Sequence, residues 1–333
     1  MKMQTAYLLA AGLSMITASS VYAGPYSPGK GGAGEAGYID AGIPGFVGDA
    51  GDGVQATDSN GNFVNPIFKS WATGVQLYKP SDEVGTYGMN GIGSQFADPS
   101  LATGAVTGKN MHTVSLGDMD ADEIANHLTN PTANPAGTLV LTFDKAITNG
   151  EGADFAAFEN GFVSNYNASG GATAGLMFAE LGFVEVSTNG IDFAQFPSTY
   201  LNYENGDGLP SNYAYLSQDV SNVHNLVGKH SNAYGESWGT PFDLSDLENH
   251  ELVLSGVVDL DEINYVKIVD IAGNGTFQDS EGRAIYDAWV TWGSGGLDFE
   301  ALGVINQVPE PGAATMLLAL GLLGCFSNRS KRA

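Results

Sequence analysis

Cysteine is almost absent from this chain: Cys325 is the only one. A single thiol closes no internal disulfide and makes no cysteine metal site. Positive charge is nearly as scarce, with 12 Lys and Arg against 37 Asp and Glu and a formal net charge of −25. So acidic a surface is repelled by nucleic acid and anionic membranes, and by acidic polysaccharides unless divalent cations bridge the two. The five histidines, His112, His127, His224, His230 and His250, show no H-E-x-x-H or comparable spacing, so no zinc site is expected. Long apolar runs are missing too. The run at 313–326 has 14 residues, about 21 Å of helix, and falls short of the ~30 Å hydrocarbon core. No period of 20 to 50 residues repeats, which argues against a propeller or solenoid.

What is present begins with Lys2, an apolar segment from Ala6 to Ile16, and Val21-Tyr22-Ala23. That order is a secretory signal peptide over residues 1–23, with a mature start near Gly24. Residues 24–61 are dominated by Gly with Ala, Pro and Asp, and predict a flexible or loosely packed arm. Within it, Gly29 to Gly34 matches G-x-G-x-x-G, but no strand feeds the motif and no helix leaves it, so a dinucleotide role is not expected. Asp118, Asp120 and Asp122 mimic the start of a calcium loop. An EF-hand, however, needs Gly where Glu123 stands and Glu where Thr129 stands. The better reading is a helix start, with Asp120 as cap, Glu123 three residues on, and Ile124, Ala125 and Leu128 as its apolar face.

After Pro131 and Pro135 the pattern changes to strands, at 138–143, 154–158, 180–187, 263–271 and 297–305, with Thr188-Asn189-Gly190 as a hairpin turn. Long Gly, Asn, Ser and Tyr-rich connections occupy 164–175, 202–240 and 272–284. Strands, long loops and one or two short helices over residues 62–307 predict an all-β antiparallel sandwich, with any binding chemistry on loops at one end.

The C-terminal residues 308–333 carry a different message. Val308-Pro309-Glu310-Pro311, a short apolar helix and the basic residues Arg329, Lys331 and Arg332 follow one another in that order. This arrangement resembles the PEP-CTERM sorting signal of Gram-negative bacteria. The resemblance implies an exosortase as partner, transient membrane contact through the tail only, and delivery to the envelope, cell surface or extracellular matrix. Loss of both ends would also remove Cys325 and leave eight basic residues, for a net charge near −29 before any loss of Glu310. In the body, Val184 to Phe193, Asn264 to Asp270 and Leu297 to Ile305 look like three successive strands of galactose-binding-like jelly rolls. Residues 153–161, 227–230, 240–244 and 279–287 are similar to bacterial surface proteins that bring no known activity with them.

Three chemistries are weighed on these residues. Asp154 and Glu159 flank one strand, and Asp279 and Asp287 surround a Gly282 turn, so oxygen ligands for Ca2+ would converge if these segments met at one end of the sandwich. Lys229, His230, Tyr234, Trp238, Tyr286 and Trp289 lie in or beside the long loops and mix stacking faces with hydrogen-bond donors, as a carbohydrate site requires. Gly235-Glu236-Ser237-Trp238-Gly239 matches the G-x-S-x-G elbow, but a polar loop precedes it and Pro241 follows, so Ser237 is not read as a nucleophile. The expectation is a secreted, non-catalytic adhesion or carbohydrate-binding module stabilised by calcium. A purely structural matrix protein and an extracellular glycan hydrolase or lyase are the alternatives.

Overall fold

Alternating Leu139 and Leu141, with Ile147 further along, turn one face of a ten-residue strand, Thr138–Ile147, toward the interior. The computed structural model describes residues 26–29, 38–48, 63–86 and 91–309. The signal peptide at 1–23, most of the Gly-rich arm with its G-x-G-x-x-G stretch, and the sorting tail from Glu310 onward lie outside the described residues. Eleven strands build the two principal sheets: β1 (Ile43–Pro44), β2 (Ser70–Trp71), β3 (Gly74–Lys79), β4 (Val114–Ser115), β5 (Thr138–Ile147), β6 (Phe155–Glu159), β7 (Gly182–Ser187), β8 (Ala194–Gln195), β9 (Trp238–Phe242), β10 (Ile263–Asp270) and β11 (Asp298–Val304). One sheet runs β1-β9-β6-β11-β2 with β4 also on β11, and the other runs β8-β7-β10-β5-β3. All pairings within these two sheets are antiparallel.

Phe155, Phe242 and Phe299 of the first sheet share one core with Leu141, Val186 and Ile268 of the second. The protein is therefore an all-β sandwich, as its strand pattern predicts. The outer face of the first sheet is covered as well, because Phe158 and Ala301 pack against Phe46 and Phe68. Burial on both faces explains why Phe155–Glu159 shows no polar alternation.

Two expectations need correction here. The described parts of the Gly-rich arm are not loosely packed: Ser27 and Phe46 are buried, and Ile43–Pro44 pairs with β9. The reason is polar anchoring, since Ser27 N–H donates to Asp40 Oδ1 at 2.6 Å and Asp40 Oδ2 accepts from Lys229 Nζ at 2.6 Å. The second correction is β9, which begins inside the expected 202–240 loop. Gly239 and Pro241 disguise it, as neither favours strands. Pro241 is tolerated because β1 pairs only with Trp238 and Gly239, leaving the sheet edge open beside it.

The helix start is as read. In α1 (Ala121–Thr129), Asp120 Oδ1 accepts from the N–H groups of Asp122 and Glu123 at 2.9 Å, and Glu123 Oε2 accepts from Asp120 N–H at 2.9 Å. A second helix, α2, spans only Glu251–Leu254. Among the described residues no helix is long and apolar enough to cross a membrane.

Candidate functional site

Antiparallel pairing gathers acidic residues from distant parts of the chain at one end of the sandwich. Because β6 runs against β11, Glu159 at the end of β6 meets Asp298 at the start of β11. Likewise β7 runs against β10, with Gly182 opposite Asp270, so Glu180 just ahead of β7 joins that acid. Ser115 of β4 stands opposite Asp298 and brings Asp118 along, and Asp287 attaches through its Oδ2, which accepts from Leu181 N–H at 2.8 Å. The β6–β11 register slips between Phe158 and Glu159, leaving Glu300 bulged and re-aiming the strand ends at this spot. None of these six carboxylates is more than 9% exposed.

Main-chain donors hold several of them. Glu159 Oε2 accepts from Gly161 N–H at 2.8 Å, and Asp270 Oδ1 accepts from Leu297 N–H at 2.9 Å. Asp118 Oδ2 accepts from Thr291 N–H at 2.8 Å and from its hydroxyl at 3.1 Å. Gly296 next to this group is required: its φ is +66°, and a Cβ there would stand 2.7 Å from Asp270 Oδ1 and 2.2 Å from the Gly117 carbonyl oxygen. Burial pushes the Asp118 and Asp298 carboxyls up to about 8 despite these bonds and the neighbouring Ser294 and Ser115 hydroxyls. Burial, reinforced by one another's charge, likewise drives Glu159, Glu180, Asp270 and Asp287 well above the usual carboxylate range.

Above the carboxylates lies a cleft of about 1010 Å3, with Glu180 and Asp298 on its floor. Its walls are aromatic. Phe162 and Phe178 stack with centroids 4.9 Å apart on one side. Trp289 stacks on Tyr213 at 6.0 Å and donates its indole N–H to the Met119 carbonyl at 2.9 Å. Trp292 and Tyr215 line the cleft while remaining 62% and 56% exposed. Asn160, Asn212 and the first turn of α1 add polar groups.

The residues picked from sequence scatter around this geometry. Trp289 stands in the cleft wall, and Tyr234 is 71% exposed and packs edge-on against Phe162 with centroids 5.2 Å apart. Tyr286 lies away from the cleft, where its carbonyl accepts from the Tyr200 hydroxyl. Trp238 is buried in β9. Lys229 and His230 are sealed inside and cannot meet a ligand: Lys229 is held by Asp40, and His230 bonds through Nε2 to Ser27 Oγ at 2.7 Å and through Nδ1 to Thr240 Oγ1 at 3.0 Å.

The four acids proposed for calcium do not share a site either. Glu159 and Asp287 belong to the cluster, but Asp154 sits at the opposite end of β6, about 17 Å away at ~3.3 Å per residue. There it accepts from Gly150 and Leu244 N–H groups. Asp279 is occupied by Arg283 at 2.8 Å and by the Tyr200 N–H. Ser237 is fully buried, and a Cβ on Gly45 would lie 2.5 Å from its Oγ, so it has nothing of an exposed elbow.

Sequence reasoning missed Glu180, Asp270, Asp298 and Trp292. Their signal was faint: each acid lies within two residues of a strand terminus, and only pairing shows that the termini coincide. At the end of the described residues, Gln307 accepts from the Ser70 hydroxyl at 2.6 Å and Val308 N–H donates to the Ala146 carbonyl at 3.0 Å. No curated protein matches the chain. A family model described as the PEP-CTERM protein-sorting motif matches residues 307–332. The chain thus carries the signal of an exosortase-processed, secreted protein directed to the bacterial cell surface.

Proposed function

We propose that the protein is a non-catalytic glycan-binding module displayed at the cell surface, with its ligand seated in the aromatic cleft. The observation that carries this reading is the exposure of Trp292 and Tyr215 on the cleft wall. Large aromatic faces open to water add little to the core, whereas they stack on the apolar faces of sugar rings. Asn160, Asn212 and the acids of the first turn of α1 stand ready to bond sugar hydroxyls. The net charge of −25 directs the choice toward neutral rather than uronic-acid polysaccharides. Display in an extracellular matrix, where such polymers occur, fits the sorting signal.

Affinity electrophoresis of the secreted protein in gels holding individual neutral polysaccharides tests the idea. Retardation by one polymer, weakened at least tenfold in Trp292→Ala with unchanged thermal unfolding, is the expected result. Failure of every polymer to retard the wild type, or equal retardation of the variant, would remove the reading and leave a purely structural matrix role. The two floor carboxylates favour one further reading, a glycan hydrolase or lyase. Binding without cleavage is preferred because Glu180 and Asp298 both lie deep on the floor, whereas glycosidases place their carboxylates on either side of the scissile bond. Release of reducing ends from the retained polymer would decide for the enzyme.

A further inference from the structure

The six carboxylates beneath the cleft have no positive partner in view. Salt bridges of the described residues engage Asp40, Glu185, Asp246, Asp279 and Glu281, and none of the six. The charged neighbours that weigh most on Asp118, Glu159, Glu180, Asp270 and Asp287 are other carboxylates. Hydrogen bonds account for part of this oxygen surface but not all of it. Asp298 Oδ1 and Asp270 Oδ2 are buried and have no hydrogen-bond partner. Asp298 is 4% exposed and is one of the residues that line the cleft.

A buried carboxyl oxygen without a donor is held neutral by a proton or takes a cation in the proton's place. We propose that a hard divalent cation of calcium size binds on the floor of the cleft, with Asp298 and Glu180 as its carboxylate ligands and Asp118, Asp270 and Glu159 as the negative charge behind them. Among the described residues no group of three or more Asp, Glu, His or Cys side chains is already arranged to hold a metal ion. The remaining ligands are therefore neutral oxygens: Thr291, Ser294 and Asn160 line the same floor, and water completes the shell. Calcium accepts such mixed sets of six to eight oxygens in flexible geometry, whereas magnesium demands a near-ideal octahedron and zinc prefers nitrogen and sulfur. The assignment is independent of whether a sugar occupies the cleft.

The test uses the secreted protein stripped with chelator, titrated calorimetrically with calcium or magnesium chloride, and followed by thermal unfolding. Calcium is expected to bind saturably and raise the unfolding midpoint, with magnesium at least tenfold weaker. Asp298→Asn should lose the calcium response by tenfold or more, yet unfold in chelator no earlier than the wild type, because the amide replaces a carboxyl whose ionisation burial already opposes. If Asp298→Asn does not fold, Glu180→Gln is read in the same way. Asp261→Asn, on the surface far from the cleft, should respond as the wild type does. No response of the folded wild type to calcium, an equal response to magnesium, or a full response in the floor variant overturns the assignment.

Discussion

His230 shows how a residue that looks like a ligand from sequence becomes part of the interior. Burial and the adjacent Lys229 charge hold its imidazole down at about 3, so it stays neutral in the folded protein. The unfolded chain takes up that proton at about pH 6.5. Between about pH 6.5 and about 3 the unfolded state therefore binds more protons, and folding loses up to ~1.4 kcal/mol per pH unit through this one group. The clustered carboxylates act in the opposite sense: their contribution is present below the ordinary carboxylate range and is lost as pH rises toward about 8. For that reason the His230 prediction is made as a difference. Urea midpoints of the wild type and His230→Gln should converge, or cross in favour of the variant, on going from pH 7 to pH 4; a gap independent of pH contradicts it. None of this was readable in the sequence, because Ser27 and Asp40, which seal the site, are 203 and 189 residues from His230 and Lys229.

At the scale of elements, the reading was good wherever pattern is local. The helix start at Asp120 needed only neighbours three residues apart, and the strands 138–143, 180–187 and 263–271 announced themselves by β-branched and aromatic content. It failed at β9 and at the arm, where stability comes from remote partners. Asp40 belongs to the arm and is the carboxylate of the Lys229 ammonium, with both groups buried. Removing one member of such a pair leaves a charge uncompensated in the interior. Asp40→Asn is accordingly expected to destabilise the protein by about 3–5 kcal/mol in equilibrium urea unfolding, and to open the segment 26–48 to proteolysis before the sandwich is cut. A loss under 1 kcal/mol with an uncut arm would show that this clasp is dispensable.

For the whole molecule, the order of segments separates destination from function. The last strand of the sandwich, β11, ends at Val304, and the matched sorting motif begins three residues later at Gln307, whose side chain accepts from the Ser70 hydroxyl. Replacing Pro309-Glu310-Pro311 with three alanines should leave thermal unfolding of the body unchanged while a bacterium with an exosortase retains the full-length chain, read by intact mass. A shortened product from the variant would mean that another segment directs cleavage. Sequence alone determined what depends on residues near one another: the acidic charge, the helix cap, the strand periodicity of the sandwich and the sorting tail. The tertiary structure decided which strand ends meet, and hence that Glu159, Glu180, Asp270 and Asp298 gather at one end of the sandwich while Asp154 lies at the far end. Such proximity is a property of antiparallel register and a single bulge between segments far apart in the chain, as in the pairs Gly182–Asp270 and Glu159–Phe299, and no local pattern encodes it.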